Sequence, residues 1–182
     1  MSIRFGTSGW RAVIADEFTF ENVRRVTEAV CSYLTTDRTA SGQTLIVGCD
    51  SRFMGEKFSQ VAADIGAAKG FRVLLCTGQT PTPAISYSIL NEGASGGLNF
   101  TASHNPPEYQ GIKFSTSDGA PALPEVTKQI EAAVTGEVSA ANEPGGTVEA
   151  YDARPGYLND LKAKINFDAI AKAKGSFGYD AL

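Results

Sequence analysis

Two apolar runs, Thr44 to Cys49 and Phe71 to Cys76, the second broken only by Arg72, constrain this chain most, because each is too short for a helix and too continuous for a strand with one wet face. Such runs read as strands covered on both sides. Between them Phe58, Val61, Ala62, Ile65 and Ala68 recur at helical spacing up to Gly70, where a glycine can end the helix. Ahead of them Phe20, Val23, Thr27, Val30, Cys31 and Leu34 predict an amphipathic helix over residues 19–35. Strands alternating with helices imply an α/β fold, here a three-layer α/β/α sandwich around a mixed, mostly parallel sheet.

The pattern continues. Pro83 opens a short helix through Ile85, Ile89 and Leu90. Gly97 to Phe100 and Ile112 to Phe114 read as two more short strands, and Pro124 starts a helix carrying Val126, Ile130 and Val134. From Gly136 to Thr147 the chain is rich in Gly, Ala, Ser, Glu and Pro without hydrophobic period, which reads as an exposed connector. Tyr157, Leu158, Leu161 and Ile165 then mark an amphipathic helix, and Ser176 to Asp180 reads as the opening of another strand. This divides the chain into a first domain over 1–140 and, over 141–182, a connector, a helix and the start of a second domain.

Four polar loops are placed after the expected strands: Gly6-Thr7-Ser8-Gly9-Trp10-Arg11, Asp50-Ser51-Arg52, Gly78 to Pro83, and Thr101-Ala102-Ser103-His104-Asn105-Pro106 running on to Gly111-Ile112-Lys113. Sheets of this type place ligands in loops beyond their strand ends. The last loop sets the only histidine beside a serine. A serine hydroxyl can carry a phosphoryl group, and a phosphoserine bears roughly −2 charge that needs compensating cations. Arg11, through a bidentate fork, and Lys113, as a point charge or proton shuttle, are the candidate compensators. His104 can donate to a phosphate oxygen or assist proton transfer. Taken alone, Ser-His-Asn-Pro is also a polar turn, and lone arginines and lysines are also solvated surface charges.

In this order, the loops resemble the first domain of the α-D-phosphohexomutases, the phosphoglucomutase/phosphomannomutase family, from about Phe5 to about Phe114. Thr-Ala-Ser-His-Asn-Pro followed by Gly-Ile-Lys is similar to that family's active-serine signature, and Gly-Thr-Ser-Gly-x-Arg to its N-terminal motif. Ala12 and Gln110 depart from it, standing where glycine and asparagine are common. The resemblance implies a phosphoserine enzyme exchanging hexose 1-phosphate and hexose 6-phosphate through a bisphosphorylated sugar, with hexose 1,6-bisphosphate as activator. It implies Ser103 as phosphoryl carrier and, once phosphorylated, metal ligand. Lys113 takes the acid/base position, Arg11 lies near the phosphoserine, and His104 belongs to the signature loop. Thr7, Ser8 and Asn105 touch substrate. Mg2+ would be shared with an Asp-Gly-Asp-x-Asp-Arg loop that this sequence lacks. The resemblance also makes the chain an N-terminal piece of a four-domain cytoplasmic enzyme, expected to lack turnover without its remaining domains.

Other classes fit less well. A net charge of −4 argues against a nucleic-acid surface, and no apolar run approaches the roughly 20 residues of a membrane span. Cys31, Cys49 and Cys76 have no metal-ligand spacing. A dinucleotide-binding turn of the form Gly-x-Gly-x-x-Gly is missing, and Ser103 does not stand in the Gly-x-Ser-x-Gly elbow of a serine hydrolase, in which adjacent Ser103 and His104 would also have to point together. A non-catalytic phosphosugar-binding module remains the alternative, since hydroxyl-rich loops at helix starts hold phosphate without chemistry.

Overall fold

Strand side chains alternate between the two faces of a sheet, and here both faces are covered. In the computed structural model, which describes residues 3–6, 9–36, 43–134 and 145–180, Leu45, Val47 and Val73 enter one hydrophobic cluster. Ile46, Leu74 and Cys76 enter a second. The first face carries helices α1 (Phe20–Leu34), α2 (Gly55–Ala68) and α4 (Pro124–Ala133). The opposite face carries α3 (Thr82–Asn91) and, against it, α5 (Arg154–Lys164), followed by the short α6 (Phe167–Lys172). Three layers result, as the sequence pattern predicts.

The sheet has six strands: β1 (Trp10–Val13), β2 (Thr44–Cys49), β3 (Arg72–Gln79), β4 (Gly96–Phe100), β5 (Tyr109–Thr116) and β6 (Thr147–Tyr151), in the order β1-β5-β4-β2-β3-β6. The pairs β2/β3, β2/β4 and β3/β6 are parallel, whereas β5 runs antiparallel to both β4 and β1. From β2 the chain crosses through α2 to β3 on one side, and from β3 it crosses back through α3 to β4 on the other. The connections diverge between β2 and β4, and the carboxyl ends of those two strands are where sheets of this type open a ligand crevice. The Asp50-Ser51-Arg52 loop and the Ser103 loop both leave from there.

Several expectations are corrected. Trp10 to Val13 is a strand, so Arg11 stands within β1 rather than in a loop after a strand. Thr147 does not belong to a connector, because it opens β6, which pairs with β3 from Arg72↔Thr147 to Cys76↔Tyr151. The connector proper, 135–144, lies outside the described residues. Ser176 to Asp180 forms no strand: Phe177 is 79% and Tyr179 93% exposed, with no neighbouring strand to take their backbone hydrogen bonds. The α5 helix forms where expected but buries none of its residues fully; just before it Ala153 enters the second cluster, and Tyr151 and Tyr157 pack, partly buried, against it.

All three cysteines are free and buried. Burial pushes the Cys31 thiol up to about 12 and the Cys76 thiol up to about 11, and it raises Cys49 as well. Unfolded thiols ionise near pH 8.5. Above that pH the unfolded chain therefore sheds protons that the folded chain keeps. Stability is fully present below about pH 8.5 and falls as pH rises towards 11, by at most about 1.4 kcal/mol per pH unit for each thiol. Urea midpoints measured between pH 8 and 10.5 will decline, and Cys31→Ala will make that decline shallower.

Candidate active site

Four aromatic rings form the floor beneath the crevice. Trp10 stacks on Phe18 at 4.7 Å, Phe18 meets Phe58 edge-on at 4.9 Å, and Phe58 lies 6.5 Å from Phe100. All four are nearly or fully buried. Trp10 precedes Arg11 on β1, Phe58 belongs to the first turns of α2 just past Arg52, and Phe100 ends β4 before the Ser103 loop. One packed cluster thus sets the mutual positions of three polar segments.

Arg52 fixes the loop above this floor. Its Nη1 donates to the carbonyl oxygens of Pro106 at 2.8 Å and Tyr109 at 3.0 Å. Its Nη2 donates to the carbonyls of Ser103 at 2.9 Å and of Asn105. Asp50 holds the arginine from behind: its Oδ1 accepts the Arg52 backbone N–H at 2.9 Å, and its Oδ2 lies 3.8 Å from Nε. A planar guanidinium has the donor geometry to reach four carbonyls at once, and a lysine has not.

Ser103 occupies the exposed end of the clamped loop with φ 56°, the left-handed conformation that non-glycine residues rarely adopt. Its backbone N–H donates to the Thr101 hydroxyl oxygen at 3.0 Å, and Asn105 N–H donates to the Ala102 carbonyl at 3.1 Å, so the turn is closed from within. Strain of roughly 1–2 kcal/mol is held in place by these bonds and by Arg52. Ser103 Oγ comes within 3.5 Å of His104 Nδ1, closer than side chains pointing apart would allow. Among the described residues no carboxylate hydrogen-bonds that imidazole, so the third member of a hydrolase triad is missing.

Arg11 joins from the edge strand, its Nη1 donating to Asn105 Oδ1 at 2.9 Å. It pairs with Gly111 across β1 and β5, and Thr101 N–H donates to the Gly111 carbonyl at 3.0 Å. Gly111 is required there, since a Cβ would sit 2.6 Å from the Thr101 oxygen and 2.9 Å from both Trp10 O and Arg11 Cγ. Lys113 lies two residues on, half-buried, on the same sheet face as Arg11. Partial burial, reinforced by Arg11, holds its ammonium below the ordinary lysine range, while Asp50 pulls the other way. A lysine so placed gives up a proton more readily than a solvated one.

The structure links Ser103 and His104 to each other and Arg11 to Asn105 of the same loop, and it sets Lys113 on the Arg11 face of the sheet within electrostatic reach of that arginine. Thr7 and Ser8 lie outside the described residues. No group of three or more His, Cys, Asp or Glu side chains arranged to hold a metal exists among the described residues. Magnesium prefers several oxygen ligands with carboxylates among them, and Asp50 is engaged with Arg52. Ser103 Oγ alone does not make a magnesium site, so the residues present do not fit the ion without a contribution from elsewhere. Arg52 and Asp50 were visible in the sequence as a polar loop after a buried strand. Their clamp on Ser103 was not, because its acceptors are far away in the chain.

The family model for the phosphoglucomutase/phosphomannomutase alpha/beta/alpha domain I matches residues 2–141. The chain belongs to the phosphoglucomutase/phosphomannomutase family. The phosphoglucomutase of Komagataeibacter xylinus is 29% identical over 99% of this chain and 36% of its own length. The phosphoglucosamine mutase of Levilactobacillus brevis is 34% identical over 94% of this chain and 41% of its own. A solved structure from Thermus thermophilus, provisionally named a phosphomannomutase, is 40% identical with a TM-score of 0.86, covering 96% of this chain and 39% of that one. This family member therefore spans well under half the length of these relatives. Among its described residues, no helix is long and apolar enough to cross a membrane.

Replacing Arg52 by lysine removes the planar fork while keeping the charge. The chain is expected to lose about 1–3 kcal/mol in urea unfolding, the scale of hydrogen bonds to a charged group. Amide exchange at Ser103 and Asn105 will accelerate by more than exchange in β2 does. Equal protection in Arg52→Lys and the parent chain would mean that the loop holds itself.

Proposed function

We propose that this chain supplies the phosphoryl-carrying domain of a hexose-phosphate mutase, with Ser103 Oγ as carrier. The observation that supports it best is the loop itself: a strained, exposed serine, locked by the Arg52 clamp at the topological switch point, with two cations on the sheet face beside it. Phosphoryl transfer needs positioning and charge stabilisation more than additional covalent partners, and this site offers both.

The phosphate on Ser103 passes to a free hydroxyl of a hexose phosphate: the sugar O–P bond forms as the Ser103 Oγ–P bond breaks. Lys113 accepts the proton of the attacking hydroxyl and returns it to Ser103 Oγ, leaving serine and a hexose bisphosphate. After the sugar turns round, the same steps in reverse move its other phosphoryl group to Ser103. Arg11 compensates charge on the phosphoryl oxygens and, through Asn105, keeps the loop in register. His104 stands beside Oγ and can donate to the same oxygens. Hexose 1,6-bisphosphate charges an unphosphorylated Ser103 by the reverse half-reaction. A divalent cation, expected to be Mg2+ by the family resemblance, would add further neutralisation when the phosphoserine and carboxylates outside this chain hold it.

Glucose and mannose phosphates are the preferred substrates in this reading, supported by the active-serine loop sequence and by the name of the 40%-identical Thermus structure. The remaining domains of a longer protein supply sugar selection and the distal phosphate site. In the longer protein, Ser103→Ala is expected to lose about three orders of magnitude in kcat, since the covalent route is gone. Lys113→Met should lose about 10²–10⁴, the usual contribution of acid/base catalysis. The isolated chain should show no turnover in a coupled glucose 1-phosphate assay. A Ser103→Ala enzyme with near-normal kcat would leave only phosphosugar binding.

A further inference from the structure

Asn99 is the one polar side chain in β4, a strand whose five residues are all buried. Its neighbours Leu98 and Phe100 face the α1, α2 and α4 side, so Asn99 faces α3. With 4% of its surface exposed, it donates from Nδ2 to Thr82 Oγ1 at 2.7 Å, at the start of α3. Its carbonyl oxygen Oδ1 is buried and receives no hydrogen bond. A buried acceptor left in this state costs about 1–3 kcal/mol, more than its partnered half returns. A leucine would fill a strand core at lower cost, which makes the amide informative.

The missing donor has a charged candidate by position. Lys113 is the residue directly opposite Asn99 in the β4/β5 register, on the same face. Both line a small cavity of about 70 Å³ together with Gly9, Thr82, Ser86 and Ser115, with room for one or two ordered waters. We propose that Asn99 is a positioning residue for Lys113: its carboxamide oxygen accepts a hydrogen bond from the lysine ammonium, directly or through one water, and ties it to Thr82. The function of that tie rests on the reading of Lys113 as the proton carrier.

The charged groups near Lys113 are Arg11 on β1 and Asp50 after β2. From α3 and α4 the cavity is lined by Thr82, Ile85, Ser86 and Thr127, which carry no charge. A hydrogen bond accepted from the ammonium favours the charged form and opposes both burial and Arg11. Through Thr82 it also anchors the lysine to the first turn of α3.

The test is a carbon-detected NMR titration of the Lys113 side chain in this chain, in the parent and in Asn99→Leu and Asn99→Asp. Asn99→Leu is expected to lower the titration midpoint by about half a unit to one unit, the equivalent of a hydrogen bond, and Asn99→Asp to raise it. Midpoints unchanged in both folded variants would overturn the proposal. Should Asn99→Leu not fold, the parent chain decides: the Asn99 side-chain amide resonance must shift through the Lys113 titration, and that shift must vanish in Lys113→Met. An amide resonance flat through that range would overturn it equally. In the longer enzyme Asn99→Leu should lower kcat about tenfold with KM little changed, and displace the acidic limb of the kcat profile, where Lys113 must lose its proton to act as base, to lower pH. A Lys113→Met enzyme with full kcat would instead sink the assignment of the proton carrier, and the NMR coupling would still report on Asn99.

Discussion

One guanidinium gathers four backbone carbonyls, and the rest of the site follows from that arrangement. Arg52 binds the oxygens of Ser103, Asn105, Pro106 and Tyr109, which otherwise would all need water or another donor at the mouth of the crevice. A loop held by its carbonyls leaves its side chains free, so Ser103 and His104 face outward while their backbone is fixed. The left-handed conformation of Ser103 persists for the same reason. An unanchored serine would relax out of it, and the hydroxyl would lose its aim.

The clamp is itself supported from below. Arg52 lies between the end of β2 and the start of α2, and both are pinned by the Trp10, Phe18, Phe58 and Phe100 cluster. That cluster also places Arg11 and the end of β4. Apolar packing therefore sets the distances, and a few charge-assisted hydrogen bonds set the orientations. In the proposed role, that combination would let the loop accept and release a highly charged group without rebuilding itself.

The layered fold was legible because burial writes itself plainly into Thr44 to Cys49 and Phe71 to Cys76. Edge strands were not, since half their neighbours are solvent or loop. Trp10 to Val13 is short and follows a polar, glycine-containing segment, and Thr147 to Tyr151 is mostly exposed, so neither shows a buried strand's composition. Ser176 to Asp180 shows the opposite error: an aromatic alternation without a partner strand does not pair. In the site, Ser103 and Lys113 could be read from their motif. Arg52 could be seen only as a loop residue, because its acceptors are 51 to 57 positions away. Asn99 was only one residue of the Gly97 to Phe100 strand, and its meaning depends on which residue β5 sets opposite it.

The most direct measurement is peptide mapping by mass spectrometry of the longer protein before and after incubation with glucose 1,6-bisphosphate. The account predicts one phosphate adduct on the peptide containing Ser103, removed again when hexose monophosphate is added. A protein that interconverts hexose phosphates with Ser103 unmodified throughout would contradict it.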